Sequence, residues 1–381
     1  MSCKNYQPAK NSEFITGAFL IEPTFWFIAG LIGLIGGAEV LVRAVSKLAG
    51  YVGISKLVIG LTVVAFGTSA PELAISIQAG VSGQTDLMLG NIIGSNISNT
   101  LLILGIAALF VPLKVNASLI KSDVPVMIGI TVLVYIFSLN GMITFAECLV
   151  LTFLLIIYMI FLARQGGKTD FAKEKKPGKK LLPSLVNLVL CVAGFVLLVY
   201  GARWVISSSL IFAEMAGISE LVIGLTVVAI GTSLPEIVIT LVAALKGERD
   251  IAIGSVIGSN ILNLLAVLGV SGLFIPGAIP VKEVLVNFDL LVLIAASILC
   301  IPIFYTGYKI VRWEGLMFLF FYFSYLFYLF LSSTDHDFLS IFTGIMVYLV
   351  FPVTILAILL ITFLEWKNRF RFRNFGKSNN E

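Results

Sequence analysis

The sequence predicts an all-α polytopic membrane protein built from two inverted-topology five-helix repeats, ten core spans in all, plus an eleventh C-terminal span. Three observations carry this. Hydrophobic residues make up 59% of the 381 positions and charged residues only 12%, about half the charge with which a soluble domain covers itself. Many apolar runs exceed the ~20 residues that a helix needs to cross the hydrocarbon layer. Two blocks of sequence also return later in the chain, both displaced by the same constant offset.

The spans fall near 24–46, 57–81, 86–111, 123–140, 143–163, 184–206, 217–245, 251–275, 284–305, 313–332 and 338–364. The first lacks a small-residue cleavage site and is long enough to cross, so it is expected to be a span and not a removed signal peptide. If residues 1–23 lie outside and sides alternate, 21 of the 25 Lys and Arg residues fall on the inside. Only Lys4, Lys10, Arg203 and Lys282 then lie outside, as expected where basic loops stay in the cytoplasm. Ten spans would put the basic tail outside, so charge supports the eleventh span.

The chain divides into an extracytoplasmic segment (1–23), a first repeat (24–163), a basic Gly/Lys/Pro-rich linker (164–183), a second repeat (184–332), the extra span (333–366) and a basic tail (367–381). Linker and tail are expected in the cytoplasm, and the protein in the cell membrane.

Residues 60–72 read GLTVVAFGTSAPE and 224–236 read GLTVVAIGTSLPE, with eleven of thirteen positions identical. Residues 90–105 (GNIIGSNISNTLLILG) and 254–269 (GSVIGSNILNLLAVLG) share ten of sixteen. Gly37-Ala38 and Gly201-Ala202 obey the same offset. Each unit holds five spans, an odd number, so the second copy enters the membrane with opposite orientation. Such repeats place transport sites near the midplane.

Pro71 lacks an N–H and its ring clashes with the Gly67 carbonyl, so the second span should break there. A break at this depth is tolerated only where it is buried in protein or lines an aqueous cavity. Carbonyls from Ala65 to Thr68 become candidate ligands, the Thr68 and Ser69 hydroxyls join them, and Glu72 adds a carboxylate. Ala229, Thr232, Ser233, Pro235 and Glu236 repeat the set. Asn91, Ser95 and Asn99 share one face of the third span, and Ser255, Ser259 and Asn263 share the equivalent face of the eighth. Gly90-x-x-x-Gly94 and Gly254-x-x-x-Gly258 allow close helix approach. Hard cations take such oxygens, and an uncompensated carboxylate at the bilayer centre costs at least ~2.5–3.5 kcal/mol. Small polar residues can also simply pack helices, but here the polar face recurs beside a Glu-bearing break in both halves.

Other residues receive structural readings. Glu39 and Arg43 can pair at i, i+4. Glu147 lies near a span end. Asp289 has no acidic counterpart, since the constant offset places Pro125 opposite it. His336 is expected in a loop. Cys3, Cys148, Cys191 and Cys300 have no CxxC spacing, so neither zinc nor a disulfide framework is indicated.

The paired Gly-Thr-Ser-x-Pro-Glu and Gly-Ser-Asn-Ile-x-Asn elements resemble the α-repeats of the sodium/calcium exchangers and the wider calcium/cation antiporter superfamily, over most of residues 24–332. The resemblance implies a cation cluster centred on Glu72 and Glu236. Thr68, Thr232, Ser69, Ser233, Ser95, Ser259, Asn99 and Asn263 would contribute, with the carbonyls of Ala65 and Ala229. It also implies that spans 1 and 6 slide across the rest. Some potassium-dependent relatives carry Asp where this chain has Asn263. Two glutamates balance one Ca²⁺ or two Na⁺, so potassium dependence is not expected.

The expected activity is Ca²⁺/Na⁺ antiport by alternating access, with inorganic cations and the bilayer as partners, no nucleic acid and no cofactor. Proton-coupled exchange of Ca²⁺ or another divalent is the alternative, since protons can compete for buried carboxylates. A channel and a membrane-embedded enzyme are the readings from other classes. No span carries His and neither HExxH nor GxSxG occurs, which argues against the enzyme.

Overall fold

The structure, a computed structural model, describes residues 12–52, 55–166, 181–215, 233–334 and 336–378. Among these, nine helices are long and apolar enough to cross a membrane, and a bent helix pair makes ten. They are α1 (Ile21–Tyr51), the pair α2 (Lys56–Thr68) and α3 (Ala70–Val81), α4 (Thr85–Phe110), α5 (Ala117–Ser138), α6 (Phe145–Arg164) and α7 (Pro183–Phe212). The shorter α8 (Leu234–Leu245) follows, then α9 (Arg249–Leu273), α10 (Leu285–Tyr305), α11 (Arg312–Ser333) and α12 (Phe338–Phe363). The expected span at 217–245 is represented by α8, its earlier part lying outside the described residues. The chain is thus an all-α polytopic membrane fold.

Burial sorts the helices into layers. α9 is buried throughout and α4 nearly so, whereas α6, α11 and α12 present mostly apolar side chains outward, the side that meets lipid. The centre is therefore formed by the two Gly-Ser-Asn helices.

α1 and α7 pack chiefly on each other, along a glycine seam. A Cβ on Gly37 would sit 2.7 Å from the Gly194 carbonyl, and one on Gly30 would sit 2.8 Å from that of Gly201. Without a hydrophobic driving force between helices in lipid, small residues allow this approach. As Gly30 meets Gly201 and Gly37 meets Gly194, the two helices run antiparallel.

Two short β-ribbons are an addition to the helical expectation. β1 (Leu113–Lys114) pairs antiparallel with β4 (Lys309–Ile310), and β2 (Met142–Ile143) with β3 (Ile279–Pro280). Val115 N–H donates to Tyr308 O and Val281 N–H to Gly141 O, both at 2.9 Å. Backbone groups in connections at the membrane surface need partners, and each ribbon supplies them across the two halves of the chain.

The ribbons correct one sequence reading. The constant offset would set Gly277 opposite Leu113 and Thr306 opposite Met142, yet the equivalent strands begin at Ile279 and Lys309. Beyond the repeated blocks the offset has therefore lengthened. Measured from β1 and β3, Asp289 does have a counterpart, Asp123. Tyr158 and Tyr325 correspond in the same way, measured from β2 and β4. Tyr158 donates to Asp123 at 3.3 Å, and Tyr325 donates to Asp289 at 2.8 Å. The constant-offset comparison missed the pair because extra residues enter between α9 and α10.

The structural readings of the other charges fit. Glu39 and Arg43 pair. Glu147 caps α6 by accepting Thr144 N–H at 2.7 Å, and Glu314 caps α11 by accepting Val311 N–H at 2.8 Å. Each satisfies an orphan donor at a helix start. Glu314→Ala should therefore lower unfolding stability by about 0.5–2 kcal/mol and leave transport per folded molecule unchanged, which detergent melts alongside flux per monodisperse protein can check. His336 lies beside α12, its ring Nδ1 accepting Phe338 N–H at 3.1 Å. Cys148, Cys191 and Cys300 are buried free thiols; Cys3 lies outside the described residues.

Candidate cation site

The break between α2 and α3 is a 43° bend. Ser69 occupies it at φ −80° and ψ −1°, and Pro71 stands in the first turn of the new helix, where its missing N–H costs nothing. Ser233 precedes α8 at φ −91° and ψ 4°, with Pro235 in the equivalent first turn. Glu72 and Glu236 therefore both sit in the first turn of a helix, where the positive end of the helix dipole offsets part of the cost of a buried carboxylate.

Both glutamates are almost fully enclosed, at 2% and 3% exposure. Their carboxyl groups face each other directly, and Glu236 also faces the Thr68 hydroxyl. Thr68 lies 3.1 Å from the Ser259 hydroxyl, which binds the broken helix of the first half to α9 of the second. Ser69, Ser95, Asn99, Ser233 and Asn263 are buried as well. Thr232 and Ala229 lie outside the described residues.

Five buried oxygens here have no hydrogen-bond partner among the described residues: Glu72 Oε2, Glu236 Oε2, Ser69 Oγ, Asn99 Oδ1 and Asn263 Oδ1. A buried acceptor without a partner costs about 1–3 kcal/mol. Carboxylate, amide and hydroxyl oxygens are the donor set of a hard cation and not of a soft metal. The Ala65 carbonyl is committed differently, accepting Ser69 N–H at 2.9 Å and the Thr68 hydroxyl at 3.2 Å. It can serve as a ligand only when the Thr68 hydroxyl turns away.

Some polar partners escaped the sequence reading. Asn91 donates to the Ser76 hydroxyl, and Thr240 lies against the Ser255 hydroxyl, each at 3.3 Å. Ser76 and Thr240 stand one turn beyond the glutamates and correspond at the repeat offset, a signal available in the sequence. Asn260 donates to Thr100 at 2.7 Å and joins α9 to α4. Asn99 and Asn263 lie in π-helical turns, Ser98–Ile103 and Asn263–Leu268, a geometry frequent at functional sites that no residue type announces.

Two facing carboxylates in the first turns of α3 and α8, walled by amides and hydroxyls within a polytopic bundle, fit an intramembrane cation-transport protein. The family described as "Sodium/calcium exchanger protein" matches residues 22–164 and 186–331. The second match starts where the repeat offset puts it and ends beyond that position, the same lengthening seen in the ribbons. The sodium/calcium exchanger MaX1 of Methanosarcina acetivorans is 37% identical over 358 residues, covering 83% of this chain and 99% of its own. The inner membrane protein YrbG of Escherichia coli is 36% identical over 267 residues, covering 68% and 82%. A solved structure of the sodium-calcium exchanger NCX_Mj, soaked with 10 mM Na⁺ and zero Ca²⁺, superposes with a TM-score of 0.71 at 32% identity, covering 80% of this chain and 97% of that one. The chain belongs to the sodium/calcium exchanger family. It is a transporter and not an enzyme, as the absence of hydrolase motifs led one to expect.

Proposed function

We propose that the protein is a secondary active antiporter that exchanges Ca²⁺ for Na⁺ at one shared midplane site by alternating access. The facing, buried Glu72 and Glu236 carry this reading. Both cations need the same two carboxylates, so occupancy by one excludes the other. Glu72, Glu236, Thr68, Ser69, Ser95, Asn99, Ser233, Ser259 and Asn263 form the site, with Thr232 and the carbonyls of Ala65 and Ala229 completing it.

The architecture we assign is two five-span repeats of opposite orientation (24–163 and 184–332), joined by the 164–183 linker and followed by the 333–366 span and the 367–381 tail. The antiparallel α1–α7 seam supports it. So does the sidedness of the cross-half ties. β1–β4 and Lys56–Glu248 join connections placed inside, whereas β2–β3 and Lys282–Asp86 join connections placed outside. One span too many or too few within this stretch would put partners on opposite faces. With the Lys and Arg distribution, this favours residues 1–23 outside and the linker and tail in the cytoplasm.

Proteoliposomes loaded with Na⁺ should take up ⁴⁵Ca²⁺ when diluted into Na⁺-free medium, and added external Na⁺ should inhibit. A second reading has one observation in its favour: two carboxyl groups in direct contact can share a proton in place of a cation. Uptake that collapses with the pH gradient and ignores Na⁺ would establish proton coupling and overturn the Na⁺ assignment.

A further inference from the structure

A charged cluster outside the cation site ties α1 to the connection between α8 and α9. Lys246 Nζ lies 2.8 Å from Glu39 Oε1, and Arg43 shares that carboxylate. Two residues on, Glu248 takes Lys56 Nζ at 2.7 Å and the Ser46 hydroxyl at 2.9 Å. The connection thus presents one cation and one anion, and α1 with the start of α2 presents the complementary groups in register. α8 carries Glu236, and Lys246 follows the last residue of that helix, so the cluster grips the far end of a site-bearing helix.

The other half cannot build this tie. At the repeat offset, Lys246 and Glu248 correspond to Ser82 and Gln84, while Glu39 and Arg43 correspond to Arg203 and Ser207. The connection between α3 and α4 is therefore neutral at those positions, and Arg203 lies over the Tyr200 ring instead, 5.8 Å from its centroid. Two inverted halves would otherwise open the two faces of the membrane at equal cost. The tie on the opposite face, Lys282 to Asp86, does not involve α1 or α7, so among the described residues the ionic hold on that pair is unequal between the two faces. Among the described residues the α1–α7 pair packs mainly on itself, and its next largest contact is that of α1 with α8, the helix whose far end the tie holds.

We propose that Glu39, Lys246, Lys56 and Glu248 are positioning residues that form an ionic clasp, holding shut the face that carries the α1–α2 and α8–α9 connections and so biasing the exchanger toward opening on the opposite face. This rests on the alternating-access reading above. The paired side chains are 22–40% exposed apart from Arg43, and such pairs are individually weak and screened by salt. The clasp therefore biases the cycle without locking it.

The test uses full-length protein in liposomes with Lys246→Glu, Glu39→Lys and the charge-swapped double variant. Apparent affinity from a face scales with the fraction of molecules open to it. Either single variant should lower the half-saturating Ca²⁺ measured from the clasped face by about two- to fivefold, and the double variant should restore the wild-type value. Spin labels at Lys47→Cys and Leu245→Cys give a readout independent of the transported ion: the short-distance population should shrink in the single variants and return in the swap. Unchanged affinity and unchanged distances in a well-folded Lys246→Glu protein would overturn the clasp, as would a swap that restores neither. Absence of Na⁺-driven uptake by the wild type would overturn the exchange reading instead, and the spin-label distances would still decide the clasp.

Discussion

Glu72→Gln and Glu236→Gln are each expected to reduce Na⁺-driven ⁴⁵Ca²⁺ uptake by at least about 100-fold. Glutamine preserves side-chain volume and one oxygen ligand but removes one of two charges that balance a divalent cation. Leaving a buried charge without its compensating partner costs about 3–5 kcal/mol, and each 1.4 kcal/mol is a factor of about ten in affinity. Stability should move differently. The two carboxyl groups face each other inside the protein, and without cation they either repel or must take up a proton, so either variant should unfold no more readily than wild type in chelator. Ca²⁺ should stabilise wild type against heat, increasingly with the logarithm of its concentration above Kd, and leave both variants unmoved. A well-folded variant that keeps wild-type exchange, or keeps the Ca²⁺-induced stabilisation, would remove its glutamate from the site. The same melts separate a binding defect from a folding defect, which flux alone does not.

Much of the candidate site was legible because its chemistry is expensive. A proline and a glutamate in the middle of an apolar span both carry a cost in lipid, and their recurrence as Pro235 and Glu236 marks them as a pair. The span pattern was legible for a related reason, since hydropathy and basic residues report directly on depth and side. What sequence did not show depends on partners distant along the chain. Nothing in Leu113–Lys114 or Lys309–Ile310 announces a strand; they pair because two connections end at the same surface. The Asp123–Asp289 correspondence was hidden by added residues beyond the last repeated block. Ser76 and Thr240 looked like ordinary small polar residues until their contacts with Asn91 and Ser255 appeared. Lys246 counted in the sequence only as one of the inside cations, and only the fold brings it and Glu248 against α1.

The second large effect concerns packing behind the ligands. Gly258→Val should abolish high-affinity exchange, raising half-saturating Ca²⁺ by more than about tenfold, and should destabilise the protein by about 1–3 kcal/mol. A Cβ at Gly258 would lie 2.7 Å from the Leu61 carbonyl and 2.8 Å from Ala65 Cβ. One obstacle is backbone and the other a methyl fixed to it, so no side-chain rotation relieves them. α9 must move away from α2, and the next residue along, Ser259, is the one whose hydroxyl lies 3.1 Å from Thr68. That contact is lost before any ligand is changed chemically. Gly129→Val is the matched control, because Gly129 is exposed on α5 and a Cβ there meets nothing within 4 Å. Wild-type affinity in Gly258→Val, with Gly129→Val equally active, would mean that the wall formed by α9 does not position ligands. The expected split between the two variants follows if the candidate site draws oxygens from both α2 and α9: their separation is then part of the coordination geometry, and a glycine sets it.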